Sequence, residues 1–173
     1  MRAMEGHSPV DDMAERLPDV LGKPSTHPAV VELMTSIGYP PLPMFPNKVE
    51  KVAPRHYADR PHGLDFIFHD AYTVEHYTAA LLPQGTPLLV GVTFYAARGN
   101  TDGFWGFTGA LPYEIQWSDS PEQLLERFGK PRATIQPERQ PLRAHRWRLP
   151  DEFFLVVAYA PDRAILRVSV ALI

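Results

Sequence analysis

The stretch Ser118-Asp119-Ser120-Pro121-Glu122-Gln123-Leu124-Leu125-Glu126-Arg127-Phe128-Gly129-Lys130-Pro131 spells out a short helix with both of its ends. Ser120 suits the cap that receives the free amides of the first turn. Pro121 suits the first helical position, where its missing N–H is not needed. Gln123 completes a capping box with Ser120. Leu124, Leu125 and Phe128 form an apolar stripe that must face a neighbour. Gly129 supplies a left-handed stop, and Pro131 keeps the helix from resuming.

An upstream stretch, His27 to Pro40 ("HPAVVELMTSIGYP"), follows the same plan. It has an opening Pro28, apolar Val30, Val31, Leu33, Met34 and Ile37, and a closing Gly38 and Pro40. A further helix is predicted over Asp11–Leu21, closed by Gly22 and Pro24. Behind each of the two matching helices comes a strand carrying Tyr57 or Trp147. Next come "GLDFIF" (63–68) or "FFLVVAY" (153–159), and then "PLLVGVTFYA" (87–96) or "AILRVSVALI" (164–173).

Alternation turns Leu64, Phe66 and Phe68 inward, and likewise Trp147 and Leu149 in a strand over Arg143–Leu149. Pro87–Ala97 is so continuously apolar that a central strand is expected. Phe153–Ala160 and Arg163–Leu172 form a hairpin around Pro161-Asp162. Residues Arg132–Pro141 read as loop, Phe104–Phe107 as a short aromatic segment, and Ala71–Leu82 as either a strand or a short helix within an insertion. The expected fold class is α+β, an antiparallel sheet with short helices packed on one face. It is built from two pseudo-repeated helix-plus-hairpin units, about 26–97 and 112–173, in a single domain spanning 1–173. Residues 1–10 lack periodicity and are expected to be disordered.

Composition narrows the function classes. The 173 residues are 45% hydrophobic and 11% aromatic, which fits a folded domain with its own core. Nineteen prolines fall mostly between apolar runs and imply many hard-edged loops. A net charge of −3 argues against a general nucleic-acid binder. The absence of cysteine removes disulfides, thiolate metal sites and thiol nucleophiles. With acidic residues where a signal peptide needs basic ones, and no apolar run of membrane-spanning length, the expectation is a cytoplasmic protein without a membrane partner. Oligomeric state is left open.

The unit "LLERFGKP", a loop, a strand with Trp and the pair "FFLVVAYAPDRAILRVSV" resembles the beta-lactamase-inhibitor-protein-like fold, shared by lipoproteins of the SmpA/OmlA type. More specifically, "FYAARGNTDGFWGFTGALPYEIQWSDSPEQLLERFGKP" is similar to a family of small bacterial immunity proteins found beside secreted toxins. The resemblance runs from about Leu21 to the end and is patchy over Pro41–Arg60. Its motifs are structural ones. The lipoprotein branch is disfavoured by the missing signal segment and lipidated cysteine. The resemblance implies a non-catalytic protein that occludes the active site of a cognate toxin through a free sheet face.

Chemistry-bearing constellations are weaker. His62, His69 and His76 are spaced by seven, with Asp70 and Glu75 nearby. That fits neither the i, i+4 spacing of a helical zinc site nor the i, i+2 spacing of a strand, so no metal and no cofactor is expected. Ser118 and Ser120 are explained by capping, and no G-x-S-x-G elbow exists. Gly99, Gly103, Gly106 and Gly109 lack a phosphate-loop pattern. Arg139, Arg143, Arg146 and Arg148 form a basic patch with His145 and Trp147 interleaved; the bland alternative is a solvated sheet face. In Phe104, Trp105, Phe107, Tyr113 and Trp117, alternation cannot bury every ring, and exposed Trp and Tyr favour protein interfaces. The expected partner-binding residues are Asp65, Ile67, Asp102, Phe104, Trp105, Arg146 and Arg148. The rival reading is a small enzyme or ligand-binding module using the His/carboxylate region 65–76. A structural adaptor in a secretion apparatus is a third.

Overall fold

The computed structural model describes residues 10–46, 52–71, 74, 82–98, 103–139 and 141–172. Asp102, Glu75, His76, most of the 71–82 segment and residues 1–9 therefore lie outside the described residues. Val10, expected in a disordered tail, is fully buried.

Among the described residues, three α-helices, α1 (Met13–Val20), α2 (Pro28–Ser36) and α3 (Pro121–Phe128), accompany seven strands. The strands are β1 (Arg55–Asp59), β2 (Leu64–Asp70), β3 (Pro87–Tyr95), β4 (Ala133–Ile135), β5 (Ala144–Arg148), β6 (Phe154–Tyr159) and β7 (Ile165–Ala171). They form one sheet in the order β1-β2-β3-β7-β6-β5-β4. Every neighbouring pair is antiparallel. Two meanders, β1–β2–β3 and β4–β5–β6–β7, thus meet where their last strands pair. Strand β4 corrects the reading of Arg132–Pro141 as loop. Its three residues are all exposed, so no apolar period marks them, and the pairing is supplied by β5.

α3 forms as its sequence dictates. The Gln123 amide donates to Ser120 Oγ at 3.2 Å, and the Ser120 amide donates to Gln123 Oε1 at 2.7 Å. Such a cap stabilises a helix by about 1 kcal/mol. Leu124 is fully buried, and Leu125 and Phe128 pack against the core from its edge. The far end is pinned to the sheet: Trp147 Nε1 donates to the Gly129 carbonyl at 3.0 Å. After α2, Tyr39 plays a comparable part, its hydroxyl donating to the Ala58 carbonyl of β1 at 2.8 Å.

All three helices pack on one face of the sheet. Met13, Leu17, Val30, Leu33 and Leu124 share a single cluster with Leu64, Phe66, Phe68, Val92, Phe94, Leu155, Val157, Val168 and Val170. Burying one Leu or Phe completely contributes about 1.5–3 kcal/mol, so this cluster dominates stability.

The opposite face is divided in two. A register shift between Ile67 and Phe68 lets β3 turn Leu89 and Val92 inward while Leu88 and Val90 point outward. A second cluster covers that outward side: Ala71 and Val74 bury against Leu88 and Val90, with Ile67, Leu82 and Leu172 packed around them. β3 is thus buried on both sides, which explains its continuous apolar run. Over β5, β6 and β7 no such layer is present among the described residues. The expectation that the whole outer face is open is corrected accordingly: Ala71, Val74 and Leu82, after β2, cover Leu88 and Val90 of β3 and the neighbouring Ile67.

Candidate functional site

Strand alternation decides what the uncovered half presents. Register rows run Ser169–Val156–Arg146–Ala133 and Ala171–Phe154–Arg148 across the sheet. A third row brings Arg167, Ala158 and Ala144 together, with Ile135 beside Ala144. Val156, Ala158 and Phe154 are partly exposed, Arg167 is exposed, and Ile135 is 51% exposed. Arg146 lies over the Phe154 ring at 4.0 Å, a cation–π contact that keeps its guanidinium flat against the face. Arg148 is half exposed and approaches the exposed Glu152 carboxylate only at 3.9 Å. The face is therefore three arginines set among the Phe154 ring and small and aliphatic side chains.

Trp105, at 76% exposure, stands elsewhere. The loop carrying it is wedged between the β1–β2 turn and the end of β3. The Trp105 amide donates to the Arg60 carbonyl at 3.0 Å and the Phe107 amide to the Tyr95 carbonyl at 2.8 Å. Phe104 stacks on Tyr95 at 3.9 Å and Phe107 meets Phe94 edge-on at 4.9 Å. Trp105 therefore sits at the β1–β2 corner, whereas Arg148 is at the other end of the strands and four strands across.

The seven expected contact residues thus separate. Arg146 and Arg148 share the uncovered face. Trp105 is exposed at its own corner. Phe104 is buried under that corner, and Ile67 belongs to the covered cluster. Asp65, expected on the solvent face, is only 6% exposed. His56 Nδ1 meets its Oδ2 at 2.7 Å, and its Oδ1 has no partner among the described residues. Asp102 lies outside the described residues.

In the 65–76 region, Asp70 Oδ1 accepts the Gly85 amide at 3.2 Å, tying down the start of β3. His62 pairs with Asp59 at 2.7 Å, at the opposite end of β2 from His69. Among the described residues no group of three or more His, Asp or Glu side chains is placed to hold a metal. Nor is any helix among them long and apolar enough to cross a membrane.

His145, grouped by sequence with the arginines as one basic patch, instead faces the other way, toward the helices, and is 4% exposed. The parity of Ala144-His145-Arg146-Trp147-Arg148 contains that answer, since His145 shares the parity of buried Trp147. Its Nδ1 lies 3.2 Å from the Tyr159 hydroxyl. Burial holds the imidazole below its ordinary value of 6.5; the Glu122 carboxylate opposes this shift and Arg163 adds to it. Burial likewise pushes the Tyr159 hydroxyl well above its ordinary range. Both groups are therefore neutral near pH 7.

Below 6.5 the unfolded chain takes up a proton at residue 145 before the folded chain does. The stability from neutral His145 is complete above 6.5 and is lost as pH falls below it. Melting temperatures measured from pH 7.5 down to 5 should drop more steeply for the native protein than for His145→Phe. Equal slopes would contradict this.

No family model, no curated protein and no solved structure matches this chain.

Proposed function

We propose that the protein is a non-catalytic immunity-type inhibitor that neutralises a cognate bacterial toxin by covering its active site. The observation that carries this reading is the uncovered β5–β7 half of the outer face, where Arg146, Arg148 and Arg167 are interleaved with Phe154, Val156 and Ile135. Arginine combined with apolar neighbours is the composition of interface centres, and such a surface complements an acidic, partly apolar partner. An interface of ordinary size, about 1,600 Å² in total, would need this face and its bordering loops. The inhibitor acts in the cytoplasm of the cell that makes the toxin, and it needs no cofactor. The resemblance to the immunity family, carried by "FYAARGNTDGFWGFTGALPYEIQWSDSPEQLLERFGKP" (94–131), supports the same reading.

The test is rescue of cells expressing the toxin encoded beside the protein, with affinity measured on the purified pair. The triple variant Arg146→Glu, Arg148→Glu, Arg167→Glu should lose rescue and bind at least about 100-fold more weakly, with unchanged circular dichroism. His69→Ala should leave rescue intact. Full rescue by the triple variant would remove this face from the interface. Loss of rescue in His69→Ala, with the fold intact, would favour a site in the 65–76 region instead.

A further inference from the structure

The two outermost strands of the sheet are finished differently. On β1 the Tyr39 hydroxyl takes the Ala58 carbonyl at 2.8 Å, and the Arg55 guanidinium holds the Pro43 and Met44 carbonyls at 2.6 and 3.1 Å. The preceding run of chain is thereby tied to that strand. β4, at the other end of the strand order, pairs only with β5 among the described residues, and its three residues are all exposed.

Residues along a strand alternate in which neighbour their N–H and C=O address. The Tyr159 amide donates to the Arg143 carbonyl, and counting in twos gives His145 and Trp147 to β6. Ala144 and Arg146 therefore address β4, where their register partners are Ile135 and Ala133. That turns the Thr134 N–H and C=O away from β5, toward the open edge. Unpaired strand groups of this kind are a template for another chain. Nothing inside β4 is charged or proline, and Ile135 is 51% exposed. Its length, with Pro131 and Pro137 on either side, limits an added strand to a short ladder.

Charge selects the occupant. Lys130, Arg132, Arg139 and Arg143 are all exposed around this edge, and Glu138 is the one carboxylate between Lys130 and Arg148. A second copy paired through β4 would bring these cations against their own equivalents, so a like strand is disfavoured. An acidic strand is favoured, and its outward side chains would continue the rows that run through Ala133 and Ile135 to β5. Two strand spacings, about 10 Å, then separate them from the basic face, which is about one Debye length in physiological salt. We propose that the free edge of β4 takes an extended, acidic segment of a partner protein as an added strand. That the partner is the toxin rests on the function proposed above.

The probe is the peptide acetyl-EVTVEVE-amide, tested on the whole protein. Titration should be saturable with a Kd of about 1 mM or tighter, and exchange of the Thr134 amide should slow at least about tenfold at saturation. The lysine counterpart acetyl-KVTVKVK-amide, and the acidic peptide N-methylated at its three central amides, should each bind at least about tenfold more weakly. Thr134→Pro removes the outward N–H without touching a β5 hydrogen bond, so it should weaken binding about tenfold while Ala133 and Ile135 keep their amide protection. Arg132→Glu, which leaves the backbone intact, should weaken it by a similar factor. No binding, or equal binding of the N-methylated or the lysine peptide, overturns the proposal. So does concentration-dependent protection of Thr134 without peptide, which would make the occupant a second copy. These outcomes leave the immunity reading to its own rescue test, whereas loss of that reading with the peptide still bound would remove only the toxin as the source of the strand.

Discussion

Gly106→Ala is expected to destabilise the protein by about 2–4 kcal/mol, read as a lower denaturant midpoint at unchanged slope. Gly106 has φ +100°, where an L side chain is strained. A Cβ built there falls 2.6 Å from the Ala97 nitrogen, Cα and Cβ. Two of those atoms are backbone at the end of β3, so they cannot swing aside as a flexible side-chain tip would. The same crowding appears one contact away, because a Cβ on Gly63 would lie 2.4 Å from the Phe107 nitrogen. The aromatic loop is therefore held where two glycines let three stretches of backbone touch. Gly38→Ala separates the two contributions. Its φ is +87° but nothing lies within 4 Å of the new Cβ, so it should cost only about 1 kcal/mol. Equal losses for Gly106→Ala and Gly38→Ala would show that the loop is not wedged.

Where the fold was legible, local chemistry and burial agreed. Ser120, Pro121, Gln123 and Gly129 specify α3 without help from the rest of the chain, and the structure places its boundaries accordingly. The alternation of Leu64, Phe66 and Phe68 likewise gave β2 its buried face. β4 was not legible because its pairing depends on β5 and its side chains are all exposed, so hydrophobic period carries no trace of it. The outer-face layer was hidden for a related reason. Alternation says which residues share a face, but whether Ala71, Val74 and Leu82 then fold over that face is a long-range fact. Asp65 is a separate case: its parity with Ile67 suggested solvent, and in the fold it is buried with His56 against its carboxylate. His145 is the opposite case, since the parity that hides Trp147 hides it too, and grouping by charge obscured that.

Trp147→Ala should produce the larger loss, about 3–5 kcal/mol, a major part of the total stability of about 5–15 kcal/mol typical of a domain. Trp147 is 2% exposed, and its ring centroid lies 5.6 Å from that of Phe128 and 5.2 Å from that of His145. Truncation would leave a cavity where α3 meets β5, and would strip the Gly129 carbonyl of its Nε1 donor. Trp147→Phe distinguishes these effects. It keeps most of the ring packing and loses the hydrogen bond, so its cost should be about 1–3 kcal/mol, nearer that of an unpaired carbonyl plus a small void. Amide exchange across Leu124–Gly129 supplies the local readout. If Trp147 pins α3 to the sheet, the helix amides should lose protection in Trp147→Ala by more than the global loss explains, while those of β2 should follow the global value. Uniform loss across α3 and β2 would mean that Trp147 acts through the shared core alone. The helix whose sequence is self-sufficient would then owe its position to Leu124 and its neighbours, and not to the indole beneath its last turn.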